Sequence, residues 1–424
     1  MDAEEIRQLE PKLEQFLHRF ADCFKRKDTR RHLGVYVRGQ LSELPQKSVE
    51  PIALEADVPP RTLQEFLSQL RWDQERVRDR LLDMVKSEHA GAHSIGIFDE
   101  TSDPKKGDKT PGVQKQWCGR LGKKENCVVT VHLAYAVEDF HCLLDGDLYL
   151  PESWAKDRRR RREAGIPKDL QFRTKWRIAL DLYDRACQKG LHFDWLTFDE
   201  GYGNIPELLR ALTARQQRYV AEVPRNLLGW LKPPRIVRRR YHRGGWWARR
   251  FNGPRLASGS KRACRVDSML EDRRLQRQPW QRWRVKDGEK GPVVWECKHT
   301  FITVKDEDGL PGERLHLIIA RNALDPNEIK YFVSNAPPEV GVGTLLLVGF
   351  SRWRVERCFE DQKSEIGLDQ YEGRRYLGLI RHLILSSVSY LFLAKTRQQW
   401  GEKSGADRLP DPHRNGCTDP VLVA

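Results

Sequence analysis

The sequence predicts an α/β protein: a mixed sheet with flanking helices, preceded by a helical domain and interrupted by a basic, strand-rich insertion. Three observations carry this. Short apolar runs ending in carboxylates alternate with amphipathic helical patterns between residues 93 and 223. The first 90 residues show helical periodicity only. Residues 225–300 hold 21 Lys/Arg against 6 Asp/Glu, the whole net charge of +15, while the other residues balance at 54 against 54.

Residues 4–26 read as an amphipathic helix with Leu9, Leu13, Phe16, Leu17 and Phe20 on one side. Ser48–Val58, the Pro59-Pro60 break and Arg61–Leu70 form a helix–turn–helix-like pattern, and a further helix starts at Asp73, a suitable N-cap. This region is either a DNA-reading unit or a helical scaffold. A strand over His93–Phe98 ends at Asp99; strands over Cys127–Ala136 and Phe140–Leu150 are joined by a turn at Glu138-Asp139. Arg173–Gly190 is a helix closed by Gly190, and Phe193–Phe198 is a strand ending at Asp199. A helix over Ile205–Gln216 and a strand over Arg218–Val223 complete the series. Three strands, helix, strand, helix, strand is the element order of an RNase H-like fold. Beyond Pro224 lie the basic insertion, strands near Val293–Val304, Leu315–Arg321 and Tyr331–Ser334, an uninterrupted helix over Ser351–Leu368, and an apolar helix from Arg374 to Gln398. The expected domains are 1–90, 91–224, 225–312 (insertion), 313–400 and an unstructured tail over 401–424.

The nine cysteines are scattered without a Cys-x-x-Cys pair, which argues against a zinc site or a disulfide framework. The N-terminus lacks the basic and apolar regions of a signal peptide. The longest apolar stretch, Leu379–Ala394, is broken by Arg381-His382 and falls short of a membrane span. The expectation is a cytoplasmic protein with no membrane partner. Its basic insertion suits a polyanion bound in a salt-sensitive way.

The chemistry concentrates in three acids. Ile-Phe-Asp99-Glu100 and Thr-Phe-Asp199-Glu200 end two strands in nearly the same way. A carboxylate at the end of a buried strand is costly unless it caps a helix or binds a metal. The element order makes those strands neighbours. On the third element, Arg352, Glu356 and Lys363 fall within roughly 60° of one helical face. Three such carboxylates can hold two Mg²⁺ ions, with Mn²⁺ able to substitute, one ion activating a nucleophile and one stabilising the leaving oxygen. Glu100 and Glu200 are alternative ligands on the opposite strand face, Asp103 reads as a turn residue ahead of Pro104, and Glu360 and Asp361 as helix surface.

At this point the chain resembles the bacterial insertion-sequence transposases of the DDE, cut-and-paste type. The motifs that carry the resemblance are Phe-Asp99-Glu-Thr with Pro104-Lys-Lys-Gly107, Tyr149-Leu-Pro-Glu-Ser-Trp154, Asp199-Glu-Gly-Tyr-Gly203, Tyr331-Phe-Val-Ser-Asn-Ala-Pro337 and Arg-Trp-Arg-Val-Glu356. The resemblance implies that Asp99, Asp199 and Glu356 are catalytic and metal-binding. It implies that Arg352 and Lys363 are the cations of a Tyr-Arg-Glu-Lys helix, gripping phosphates around the scissile bond. The tyrosine of that pattern is Gly349 here. The implied partners are double-stranded DNA, as terminal inverted repeats and target, and a second copy of the chain on that DNA. The implied setting is the bacterial nucleoid. Lys105, Lys106, Arg158 and Arg160 are candidate DNA contacts, each equally readable as solvated loop. In the insertion, Arg239, Arg249 and Arg250 are candidates for the backbone and Trp246 and Trp247 for base stacking, against a reading of its tryptophans as core. A non-cutting regulator and a host nuclease are the competing functions. The tail does not continue the helical C-terminus that the resemblance implies.

Overall fold

The computed structural model of the protein describes residues 7–237, 253–288 and 291–399. Helices come first: α1 (Leu9–His18), α2 (Lys27–Leu41), α3 (Val49–Glu55), α4 (Pro60–Ser68) and α5 (Gln74–His89). α1 buries Leu13, Phe16 and Leu17 as its periodicity predicts, but it stops at His18, short of residue 26, and a single 3-10 turn follows. The sequence reading missed α2, whose pattern is interrupted by Gly34 and Gly39. Gly39 is required there, because a Cβ would lie 2.4 Å from the side chain of Ile52 in α3. α4 carries Pro60 at its start, where the missing N–H costs nothing. α5 is capped as predicted: Asp73 accepts from the Arg76 N–H at 2.9 Å.

Four strands follow, β1 (Ile95–Pro104), β2 (Gln114–Cys118), β3 (Lys123–Val137) and β4 (Phe140–Leu148). β3 is the spine, with β1 antiparallel along one edge and β2 and β4 antiparallel along the other. The reading of β1 as ending at Asp99 is corrected. The strand runs five residues further, so Asp99 sits in mid-strand opposite His132, and Asp103 is a strand residue rather than a turn. Then come α6 (Glu152–Lys156), α7 (Arg158–Ala164) and α8 (Lys175–Gln188), the last followed by Gly190 at φ +80°.

The chain continues with β5 (Trp195–Phe198), α9 (Glu200–Gly203), α10 (Pro206–Ala214), β6 (Tyr219–Val223), β7 (Leu228–Trp230), β8 (Ile236–Val237), β9 (Arg255–Leu256), β10 (Cys264–Arg265), α11 (Arg273–Arg277), β11 (Gln281–Gly288), β12 (Gly291–Lys305), β13 (Pro311–Asn322) and β14 (Ile329–Ser334). Three helices close it: α12 (Val342–Phe350), α13 (Trp353–Asp361) and α14 (Tyr376–Gln399). The helix expected to run unbroken over 351–368 is in fact interrupted. Ser351 turns back on α12 through its hydroxyl to the Val348 carbonyl, α13 begins at Trp353, and a π turn over Gln362–Ile366 ends at Gly367 with φ +77°.

These elements form two compact units, one of residues up to 194 with the chain from Arg352, the other of residues from Trp195 to Ser351. In the first, α14 is an interior helix touching α2, α4, α5 and β4. It runs 24 residues and is, by length and composition, apolar enough to cross a membrane, which corrects the expectation that the stretch falls short. Most of its apolar window is buried within the unit. Its buried Arg381 donates to the carbonyls of Phe66, Leu67, Leu70 and Trp72 around the end of α4 and lies 4.3 Å over the Trp72 ring. A cation on the C-terminal carbonyls of a helix satisfies acceptors that the helix leaves open. Burial holds this guanidinium down at about 10. His382 bridges Tyr36 and the Leu368 carbonyl at 2.8 and 2.9 Å.

In the second unit β5 and β6 are parallel, and β6, β14, β13 and β12 follow in antiparallel order, so the sheet is mixed. β12 also pairs with β11 and β7. Asn335 fixes the start of β6, accepting from the Tyr219 N–H at 2.9 Å and donating to the Gln217 carbonyl at 2.9 Å. That explains the polar residue after Tyr331-Phe-Val-Ser. The four described tryptophans of the insertion are structural. Trp230 and Trp295 are buried, Trp283 lies against Gly343, and Trp280 is held between Lys298 and Arg321 at 4.9 and 4.1 Å. Arg239, Trp246, Trp247, Arg249 and Arg250 lie outside the described residues.

Candidate active site

The first unit builds its site on one face of β1. Side chains alternate along a strand, so Asp99, Thr101 and Asp103 share a face while Glu100 and Ser102 take the other. Glu100 pairs there with Lys175 of α8 at 2.6 Å, which removes it from the acid cluster. On the first face, Asp99 Oδ1 accepts from the Glu100 N–H at 2.7 Å, and its Oδ2 accepts from Arg352 Nη1 at 2.8 Å. The other arm of the same guanidinium, Nη2, reaches Glu356 Oε1 at 2.6 Å. One planar fork therefore joins a strand carboxylate to a helix carboxylate.

Asp99 is almost enclosed, whereas the Glu356 side chain keeps 54% of its surface. From the π turn, Lys363 Nζ donates to Thr101 Oγ1 at 2.6 Å and stands 3.6 Å from Asp103 Oδ1. Asp103 is buried, and burial pushes its carboxyl above the usual range, with Lys363 and Lys105 opposing that shift. His132, across from Asp99 on β3, is fully enclosed; its Nε2 lies 2.8 Å from Thr130 Oγ1. Burial, aided by Lys363, holds His132 down at about 3, so the imidazole is neutral near pH 7. The row Asp99–His132–Gly146 needs its glycine, because a Cβ on Gly146 would lie 2.4 Å from the imidazole.

Thr101 and His132 were missed by the sequence reading, and Asp103 was read as a turn residue. The alternation from Asp99 along β1 is the signal that would have placed Thr101 and Asp103. His132 had no such signal, since its place depends on the register of β3.

Lys105 is corrected: its ammonium donates to the carbonyls of Asp369 and Tyr371 at 3.0 and 2.9 Å, clamping the chain after the π turn rather than facing outward. Lys106 is exposed. The arginine run is a short helix, α7, capped by Asp157 rather than a loop. Arg160 is half-buried, 3.8 Å over Trp154 and bonded to the Asp108 carbonyl, whereas Arg158 is exposed.

In the second unit Asp199 follows β5 and caps α9, its Oδ1 accepting from the Tyr202 N–H at 3.2 Å. Gly203 lets α9 approach β6, since a Cβ there would stand 1.9 Å from the Glu222 carbonyl oxygen. Glu200 opens instead on a cleft of about 590 Å³, where Glu222, Arg225, Arg265, Asp267 and Lys330 mix both signs of charge. The tyrosine position of the expected helix pattern, Gly349, is buried in α12. A Cβ there would already be 3.1 Å from Phe332 and 3.2 Å from Val220.

Hard divalent cations take carboxylate oxygens. Asp99 and Glu356 are donors of that kind, and the Arg352 guanidinium stands in for the positive charge that their pairing calls for. Among the described residues no three His, Cys, Asp or Glu side chains gather closely enough to hold a metal. The donor chemistry fits such an ion.

A profile of the DDE superfamily endonucleases matches residues 19–292, well over half of the chain. The chain belongs to the DDE superfamily endonucleases. That family works with divalent metal ions, and its RNase H-like α/β class agrees with the mixed strands and flanking helices described above. The matched span includes Asp99 and Asp199 and ends before Glu356. Over 207 residues the chain is 31% identical to a protein of Microchaete diplosiphon named "Probable transposase for insertion sequence element IS701". That alignment covers 46% of this chain and 51% of the relative, so the chain spans about half the length of the curated relative it matches. Among solved structures, the NurA nuclease from Sulfolobus solfataricus overlaps 70% of this chain and 92% of its own at 11% identity. Its TM-score of 0.23 is too low to carry an argument.

Proposed function

We propose that this DDE protein is a DNA transposase that cuts at the terminal inverted repeats of an insertion sequence and joins the freed 3′-hydroxyl to target DNA. The observation that supports it most is the shared guanidinium: Arg352 holds Asp99 of β1 and Glu356 of α13 together while Lys363 reaches the same strand face. Two acids and two cations so arranged suit a reaction at a phosphodiester.

In this reading Asp99, Asp199 and Glu356 are the catalytic acids and metal ligands. Asp199 is assigned by its repeated Phe-Asp-Glu context. Bound Mg²⁺, or Mn²⁺ in its place, supplies activation of the attacking oxygen and stabilisation of the leaving one. Arg352 offers a bidentate fork to a flanking phosphate, and Lys363 a point charge to the next. His132 stays neutral and adds no charge beside Asp99. Residues 1–90 would read the repeats. The insertion over 225–312, with Arg239, Arg249, Arg250, Trp246 and Trp247, would follow the backbone, together with Lys106 and Arg158. Pairing two element ends calls for a dimer on DNA, at the bacterial nucleoid.

The deciding experiment is cleavage of DNA carrying the flanking repeats, with Mg²⁺, by wild type and Glu356→Gln. Cleavage that survives the substitution removes Glu356 from the site. Cutting without preference for the repeats turns the reading into a nonspecific nuclease. Repeat binding with no cutting in Mg²⁺ or Mn²⁺ turns it into a regulator.

A further inference from the structure

The hairpin between β2 and β3 presents an aromatic side chain that nothing above employs. Trp117 retains 55% of its surface and Leu121, in the adjoining turn, 45%. An indole left this open on a regular strand contributes little to a core. Trp117 lies directly across the ladder from Lys124, and Lys115 lies two residues before it on the same face, so the ring is flanked by two exposed lysines.

The other face of the hairpin is anchored. Cys118 is fully buried, and Ser102 of β1 donates to its sulfur at 3.4 Å while accepting from the Arg120 N–H at 3.4 Å. Arg120 is paired with Asp369, in the same segment whose carbonyl receives Lys105. Ser102 lies between Thr101 and Asp103, the two residues that Lys363 touches. The hairpin is thus fixed to the strand that carries Asp99, with its aromatic face outward.

We propose that Trp117 is a stacking platform for an unpaired nucleobase, with Lys115 and Lys124 holding the phosphates on either side. A flat ring between two cations matches the alternation of base and phosphate along a single strand, and stacking tolerates any base. This inference rests on the DNA-acting reading above.

The test uses the full chain and two DNA probes: a forked duplex with unpaired thymines at its junction, and the same duplex fully paired. Binding is followed by fluorescence anisotropy across a salt series. Trp117→Ala is expected to weaken binding to the fork by about tenfold, the loss of one stacked base, while changing binding to the paired duplex less than about twofold. Trp117→Phe keeps a ring and should restore most of the fork binding. The double change Lys115→Ala, Lys124→Ala should weaken both probes and flatten the salt slope by about 1.5.

Fork binding by Trp117→Ala equal to wild type overturns the platform, as does an equal loss on both probes. So does a loss of self-association in sedimentation with fork binding intact, which would make the patch an interface between copies. Wild type that binds neither probe would instead sink the DNA-acting reading itself, so the two failures are separable.

Discussion

β1 and β5 carry nearly the same words, Phe-Asp-Glu, in different grammar. In β1 the aspartate sits in mid-strand with its carboxylate taken by a guanidinium, and the following glutamate is turned away to Lys175. In β5 the strand stops, the aspartate caps a four-residue helix, and the glutamate opens on a mixed-charge cleft. A local motif fixes which face a carboxylate takes, since alternation is short-range. What the carboxylate meets there is set by residues 253 positions away in the case of Arg352 and three in the case of Tyr202.

The largest effect expected from this contrast is one the two aspartates share. Asp99→Ala and Asp199→Ala should each reduce DNA cleavage by about a thousandfold or more, the scale of losing a ligand that stabilises charge at phosphorus. Activity in either variant near wild type would break the parallel between the strands. Next in size, Gly203→Ala should destabilise the protein by about 3 kcal/mol in chemical denaturation, because its new methyl meets the Glu222 carbonyl of the neighbouring strand backbone. An unchanged midpoint would show that α9 is not pressed against β6.

A third test uses pH. His132 beside Asp99 has its folded pKa at about 3, below the ordinary 6.5, so the unfolded chain binds the proton first. Stability is therefore present above pH 6.5 and is lost on acidification between 6.5 and 3, by about 1.4 kcal/mol per pH unit for this group. His132→Gln should flatten that slope by one proton; an unaltered slope would mean that the imidazole is not held neutral. The smallest effect separates cap from catalyst. Asp199→Ala should cost about 1 kcal/mol of stability and Asp199→Asn almost none, since asparagine caps as well, although both should abolish cleavage.

Much of this was legible in the residues. The Asp73 cap, the Pro59-Pro60 break, the strands and helices from 93 to 223 other than β2 and the short helices α6, α7 and α9, and the turn of Glu100 away from Asp99 follow from short-range rules. Others could not be read. α2 is hidden by Gly34 and Gly39, and Gly39 makes room for Ile52 of α3, a partner that only folding supplies. The break before α13 is made by Ser351, a residue equally at home inside a helix. Lys105 looks like any loop lysine until the segment after the π turn brings two carbonyls to it. In the site itself, the Arg352–Glu356 pair follows from helical spacing, whereas the Arg352–Asp99 bond needs the strand and the helix to meet.

The glycine at 349 has a consequence for anyone redesigning the protein. Restoring the tyrosine that the sequence pattern leads one to expect would drive a ring into Phe332 and Val220, both closed on every side. No single substitution reopens that route, because two neighbours would have to shrink first, each leaving a void in the interim. An engineered tyrosine at this position would therefore need coordinated changes on two neighbouring strands, and a phosphate contact is more easily added from another side chain.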